Sequence, residues 1–266
     1  MSQTSQQSAL LIDMDGVLYE GEQRVSGAAK VLRWLERAQI PHLFVTNTTS
    51  RPRQALVGKL AAMGIDIEVT RILTPAVAAR RWLRAHIDGP IALFVPAATQ
   101  QEFTDFEVTE AAPAAAVIVG DYGARWNFAE LNRAFRLLMS DPRPRLIALG
   151  MTRYWRAPDG LRLDTAPFVV ALAHAASVEP LVIGKPAAAF FEAALGELGV
   201  EARQAYMLGD DIRTDIDGAE QLGIHGLLVK TGKFRATDLE LDIVPSAVLD
   251  SVADLPEWWL SHCAAG

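Results

Sequence analysis

Asp13 and Asp15 stand two residues apart in Asp13-Met14-Asp15-Gly16-Val17-Leu18, directly after the apolar run Ala9-Leu10-Leu11-Ile12. Alternate residues of a regular strand share a face, but Gly16 lets the chain turn sharply, so the second carboxylate can point at whatever the first attacks. Such a pair suits covalent catalysis at phosphorus. One carboxylate attacks to give an acyl-phosphate, and the other protonates the leaving oxygen before activating water. The pattern also occurs in calcium loops and in plain turns. An EF-hand loop needs oxygen ligands farther along, where this chain has Val17, Leu18 and Tyr19. The plain turn stays open on these residues alone.

Three more polar segments follow apolar runs or sit in tight connections. Thr46-Asn47 ends His42-Leu43-Phe44-Val45 and offers a hydroxyl and backbone N–H groups to a phosphoryl oxygen, although such pairs also serve as helix caps or turns. Gly184-Lys185-Pro186 holds a lysine whose point charge would neutralise a phosphoryl group; its ordinary fate would be a solvated loop. Gly209-Asp210-Asp211-Ile212-Arg213-Thr214-Asp215 follows Ala205-Tyr206-Met207-Leu208 and supplies oxygen-only ligands of the kind a hard cation such as Mg²⁺ takes, one or two carboxylates at a time. Asp13 and Asp210 are the expected pair. Asp211 and Asp215 lie beside them, and capping of the next helix is the favoured reading for Asp211.

The elements that must position these groups alternate. The runs at 9–12 and 42–45 read as buried strands; Gly27 to Ala38, Gln54 to Met63 and Pro75 to His86 read as helices. The alternation returns late, with a strand at 205–208, a helix over Ile212 to Leu222 and a strand over Gly226 to Val229. Strand–helix alternation predicts an α/β fold with a doubly wound parallel sheet. In such a sheet ligands bind beyond the carboxyl ends of the strands, where Asp13, Thr46 and Asp210 can meet. The middle of the chain has its own strands at 91–95, 116–119 and 146–149 and helices at 128–139 and 167–176, which predicts a second α/β domain inserted into the first. The expected division is 1–78 with 181–266, and 79–180.

Half of the 266 residues are hydrophobic and the net charge is -7, so no nucleic-acid-binding surface is expected, because phosphate backbones demand clustered Lys and Arg. Cys263 is the single cysteine, which excludes an intrachain disulfide and fits a reducing, cytoplasmic setting. Residues 1–8 are polar, without the pattern of a secretion signal, and no apolar run approaches the roughly 20 residues that span a bilayer, so no membrane partner is expected. The five histidines form no metal-ligand spacing. Arg153, Tyr154 and Trp155 form a basic, aromatic cluster readable equally as a substrate-facing loop or an exposed turn; Trp258 and Trp259 read as packing for the last helix.

Taken in order, Asp-x-Asp-Gly, Thr46-Asn47, Lys185 and Gly-Asp-Asp-Ile-Arg-Thr-Asp resemble the four motifs of the haloacid dehalogenase (HAD) superfamily of phosphatases. The insertion between the second and third motifs is similar to the α/β C2-type cap of subclass IIA. Within that subclass, Asn132 to Met139, Arg153-Tyr154-Trp155 and Thr231-Gly232-Lys233-Phe234-Arg235 are among the segments similar to the phospholysine phosphohistidine inorganic pyrophosphate phosphatases and the HAD-like hydrolase domain-containing proteins. The resemblance implies a Rossmann-like core with a cap and a Mg²⁺ cofactor. It implies Asp13 as nucleophile and metal ligand, Asp15 as acid/base and ligand through its backbone carbonyl, Thr46 and Asn47 as phosphate clamp, Lys185 as charge stabiliser and Asp210 as metal ligand. It further implies a small phosphorylated substrate, with a phosphomonoester, N–P or pyrophosphate bond, and a homodimer formed through the cap. The presence of Asp15 favours phosphatase over dehalogenase chemistry. A phosphotransferase or phosphomutase using the same aspartyl-phosphate, or a regulatory binding protein on the same fold, are the rivals.

Overall fold

The structure, a computed structural model, describes residues 8–157 and 159–263; residues 1–7 of the expected polar tail lie outside it. In chain order the strands and helices begin with β1 (Ala9–Asp13), β2 (Tyr19–Glu20), β3 (Gln23–Arg24), α1 (Ala28–Arg37), β4 (His42–Val45), α2 (Arg53–Ala62), β5 (Ile72–Leu73) and α3 (Pro75–His86). Next come β6 (Ile91–Phe94), β7 (Ala116–Val119), α4 (Phe128–Leu138), β8 (Arg145–Ala148), β9 (Tyr154–Ala157), β10 (Gly160–Leu163), α5 (Thr165–Ala176) and β11 (Leu181–Val182). The chain ends with α6 (Ala188–Leu198), β12 (Ala205–Gly209), β13 (His225–Val229), β14 (Ala247–Leu249) and α7 (Leu255–His262), between which run shorter helical turns.

Two compact units divide the chain. One comprises Met1–Thr46, Arg53–Leu73 and Phe190–Gly266; the other comprises Asn47–Pro52 and Thr74–Ala189. The first unit holds a six-stranded sheet in the order β14-β13-β12-β1-β4-β5, every neighbouring pair parallel. All five residues of β1 are buried, as expected of a strand covered on both faces. Its register sets Ile12 beside Leu208 on one flank and Asp13 beside Val45 on the other. From β1 the chain builds outward through β4 and β5, then returns to add β12, β13 and β14 on the opposite side, so the strand order reverses between β1 and β12. That reversal opens a crevice at the carboxyl ends of the two strands. One core packs Leu10, Ile12, Phe44 and Leu208 of the sheet against Val31, Leu32 and Leu35, the apolar stripe of α1, and against Trp259 of α7. Burying each such side chain is worth roughly 1.5–3 kcal/mol.

The second unit has a four-stranded parallel sheet, β11-β8-β7-β6, and the antiparallel hairpin β9–β10. Its core sets Phe94, Val117, Val119 and Leu146 against Leu137 of α4 and Val169 of α5. Ala111 to Pro113 are exposed and Ala116 to Val119 buried, so the alanine-rich stretch is a loop that enters a strand. Among the described residues no helix is long and apolar enough to cross a membrane.

One predicted element differs. Ile212 to Leu222 is not a single α-helix: residues Ile212–Asp217 form a π-helical turn, followed only by the short helix Gly218–Glu220. The Asp211 carbonyl accepts from both Asp215 N (3.0 Å) and Ile216 N (3.3 Å), and the second, five-residue bond widens the turn. Hydropathy periodicity cannot separate the two geometries over six residues.

Candidate active site

Backbone geometry places the three buried acids of the first unit, two at strand ends and one in a helical turn. Asp13 is the last residue of β1 and is 6% exposed. Past it the chain turns back on itself: Leu18 and Tyr19 donate to the Met14 carbonyl and Gly16 N donates to Tyr19 O at 2.7 Å, which projects Asp15 into solvent. The turn needs glycine twice over. Gly16 has φ +85°, and a Cβ there would overlap the carboxylate of Asp210.

Asp210 follows β12 and is 1% exposed. Asp215, also 1% exposed, is carried by the π-helical turn, and its Oδ2 accepts the Asp211 N–H at 3.3 Å. Asp13, Asp210 and Asp215 each contribute a carboxylate oxygen to a group whose members lie within 4.8 Å of one another. Asp211 is the cap foreseen from its position: Oδ1 accepts the N–H groups of Arg213 and Thr214, both at 3.1 Å. Burial opposes its ionisation, but those N–H groups and Lys233 outweigh it and hold the Asp211 carboxyl below the usual range.

Three buried carboxylates this close repel one another. Burial, and then the charge of Asp13, push the Asp210 carboxyl up to about 7 against the pull of the Lys233 N–H. Asp210 Oδ2 accepts that N–H at 2.7 Å, whereas its buried Oδ1 has no hydrogen-bond partner. An orphaned, buried oxygen beside two further carboxylates is what a hard divalent cation satisfies, and a set offering only oxygen fits Mg²⁺. The Lys233 ammonium lies 3.4 Å from Asp211 Oδ2. Burial lowers its affinity for a proton, but Asp211, Asp210, Asp215 and Asp13 raise it on balance.

Thr46 is buried just beyond β4, and its backbone N–H donates to Leu73 O at 3.2 Å. In the second unit Asn47 and Lys185, 138 residues apart, are locked together. Asn47 Nδ2 donates to Lys185 O at 2.9 Å, and Lys185 N donates to Asn47 Oδ1 at 2.8 Å. Lys185 is 6% exposed, so it is not the solvated loop lysine that a lone Gly-Lys-Pro would otherwise suggest. Arg153, Tyr154 and Trp155 form the approach to the β9–β10 hairpin and its first strand, with exposed rings; Arg162 sits over the Trp155 ring at 5.9 Å while paired with Asp159 at 2.7 Å.

Sequence reasoning assigned no role to the segment Thr231–Lys233, whose backbone and side chains reach Asp210, Gly16 and Glu20. The one local trace is Gly232, at φ +64°, where a Cβ would also overlap Asp210.

Residues 10–109 match the family described as haloacid dehalogenase-like hydrolase, and 182–255 match a second, HAD-hydrolase-like family. The chain is 34% identical over 263 residues to phospholysine phosphohistidine inorganic pyrophosphate phosphatase of Bos taurus, covering 95% of this chain and 94% of that protein. It is 39% identical over 232 residues to haloacid dehalogenase-like hydrolase domain-containing protein 2 of Homo sapiens, covering 87% of each. Among solved structures, NagD from Escherichia coli K-12 superposes with a TM-score of 0.84 at 25% identity, covering 94% of this chain and 98% of that one.

Proposed function

The chain belongs to the haloacid dehalogenase-like hydrolases, and on that premise we propose that it is a Mg²⁺-dependent phosphatase that cleaves a small phosphorylated metabolite through an aspartyl-phosphate on Asp13. The observation that carries this reading is the trio of buried carboxylates, Asp13, Asp210 and Asp215, gathered where the strand order reverses.

Asp13, Asp210 and the Asp15 backbone carbonyl would hold the cation, with Asp215 beside them. When bound, Mg²⁺ supplies positive charge that offsets the carboxylates and the phosphoryl oxygens. An Asp13 oxygen attacks phosphorus as the bond to the leaving group breaks, and Asp15, solvent-facing and next to the turn, gives its proton to the departing atom. Water then attacks the phosphorus of the aspartyl-phosphate and passes its proton to Asp15. The Asp13–phosphorus bond breaks, and inorganic phosphate and free Asp13 are regenerated. The Thr46 hydroxyl and the Asn47 backbone N–H bind phosphoryl oxygens, and Lys185, fixed through the Asn47 amide, adds positive charge. Residues 79–180, within the second unit, would be the cap, with Arg153, Tyr154 and Trp155 at its β9–β10 hairpin selecting the leaving group. The substrates in the name of the bovine relative, phospholysine, phosphohistidine and pyrophosphate, put N–P and P–O–P bonds beside phosphomonoesters in the class to be screened.

Asp13→Asn tests the reading. The variant should fold, judged by an unchanged circular dichroism spectrum, and should release no phosphate from p-nitrophenyl phosphate with Mg²⁺. Retained turnover would remove Asp13 as nucleophile.

A further inference from the structure

The segment leaving β13 is tied down at three successive residues, each to a different part of the first unit. The Thr231 hydroxyl donates to the Gly16 carbonyl, inside the turn that follows Asp13. Gly232 N donates to Glu20 Oε1 at 2.7 Å, and Glu20 ends the first strand of the β2–β3 hairpin. Lys233 N donates to Asp210 Oδ2 at 2.7 Å. Nothing intervenes between segment and turn: a Cβ on Gly232 would come within 2.5 Å of Gly16 Cα.

The three bonds do different work. The bond from Lys233 fixes which Asp210 oxygen is occupied and so leaves Oδ1 as the one without a partner. It can do so only while the backbone of residues 231–233 stays where it is, and the other two bonds hold that backbone. Glu20 is exposed, and the net charge is already -7, so its carboxylate brings no favourable charge to an acidic region; what it brings is a strong acceptor for the Gly232 N–H. A hairpin of two-residue strands has little stability of its own, so the same bond also holds the hairpin.

Resting on the phosphatase reading above, we propose that Thr231 and Glu20 are positioning residues for the cation. They anchor the 231–233 segment so that Lys233 N–H orients Asp210, and through Glu20 they link the β2–β3 hairpin to divalent-cation affinity. Neither touches the cation or the substrate.

The test is calorimetric titration of the full-length protein with MgCl₂. It is run beside metal-free thermal unfolding and steady-state hydrolysis of p-nitrophenyl phosphate, for Thr231→Val, Thr231→Ser, Glu20→Ala and Glu20→Gln. Losing one such hydrogen bond should weaken Mg²⁺ binding by up to about tenfold in Thr231→Val and in Glu20→Ala. Thr231→Ser and Glu20→Gln, which keep the donor and the acceptor, should bind Mg²⁺ within about twofold of wild type, on the criterion that a tenfold effect is one broken bond. At saturating Mg²⁺ the KM of the Val and Ala variants should match wild type, and their metal-free unfolding midpoints should fall by no more than the loss of one hydrogen bond accounts for. Unchanged Mg²⁺ affinity in Val and Ala, or loss in Ser and Gln as large as in Val and Ala, would overturn the assignment. So would lost affinity that only follows a lower metal-free midpoint. A wild-type protein that takes up no Mg²⁺ would overturn the cation reading itself, and the inference with it. Unchanged affinity in the variants of a wild type that does bind Mg²⁺ overturns the inference alone.

Discussion

Replacing Asp210 by Asn should stabilise the metal-free protein while removing a ligand, and the gain should grow with pH. The carboxyl of Asp210 titrates at about 7 in the folded chain against 3.8 for the ordinary group. Its folded value is raised, so between the two values the folded state holds a proton that the unfolded state has released. Stability therefore falls as pH rises through that window and the loss is complete above about 7. At 1.36 kcal/mol for each tenfold change in proton affinity, the side chain costs on the order of 4 kcal/mol at pH 8 and less than half of that at pH 5. The first is a ceiling, because side-chain relaxation and water entry soften repulsion among buried charges. Asn has the same shape, keeps an acceptor for the Lys233 N–H and can donate to a neighbouring carboxylate, so it drops the charge without opening a cavity. The assay is urea unfolding of both proteins in chelator from pH 5 to pH 8, repeated with Mg²⁺. In chelator the Asn variant should be the more stable, by a margin that widens toward pH 8; titrating groups remote from Asp210 cancel in the difference. With Mg²⁺ the wild type should gain stability by mass action and the variant far less. A margin that stays flat with pH, or a variant less stable than wild type at pH 8 in chelator, would refute the account of Asp210 as a charge held unfavourably for a cation.

Two further outcomes follow from the same geometry. Gly16→Ala places a Cβ on the Asp210 carboxylate at a backbone angle that costs roughly 1–3 kcal/mol, so Mg²⁺ affinity and phosphate release should both fall sharply; a variant titrating with Mg²⁺ like wild type would contradict the close approach. Tyr154→Ala and Trp155→Ala remove exposed rings and should shift stability by no more than about 0.5 kcal/mol, while changing kcat/KM unevenly across a panel of phosphorylated metabolites. An equal change on every substrate would deny the hairpin a part in selection.

Much of the first unit could be read in advance because a parallel sheet buried on both faces writes itself as apolar runs that end abruptly. β1 and β4 are such runs, and the polar residue ending each is the one delivered to the crevice. Helices α1 and α3 were equally legible: the observed Ala28–Arg37 lies inside the range read from the sequence, and Pro75–His86 equals it. Strand order is not local information: nothing near Ala205 says that its strand lies against β1 and not beyond β5. The burial of Lys185 was hidden for the same reason, since the amide that holds its backbone comes from Asn47, 138 residues earlier. Asp215 was legible as an acid beside the expected pair, but not as a buried member of the group. The turn that carries it has a five-residue bond from Ile216 N to the Asp211 carbonyl, a geometry that hydropathy periodicity does not reveal.

The segment 231–233 marks a deeper limit. Two of its three anchoring bonds are given by main-chain N–H groups, of Gly232 and Lys233, and every residue except proline has one. Motif reading weighs side chains, so it sees a lysine at 233 and asks what the ammonium does, when the group fixing Asp210 is the peptide nitrogen. What the sequence can register is the space such a contact requires. Gly16 and Gly232 approach the same carboxylate from two loops more than two hundred residues apart, and a side chain on either would displace it. A glycine inside a polar loop past a strand is therefore evidence about a carboxylate elsewhere in the chain. Here that carboxylate is Asp210, and the two glycines bear on its orientation more directly than any charged neighbour in its own motif.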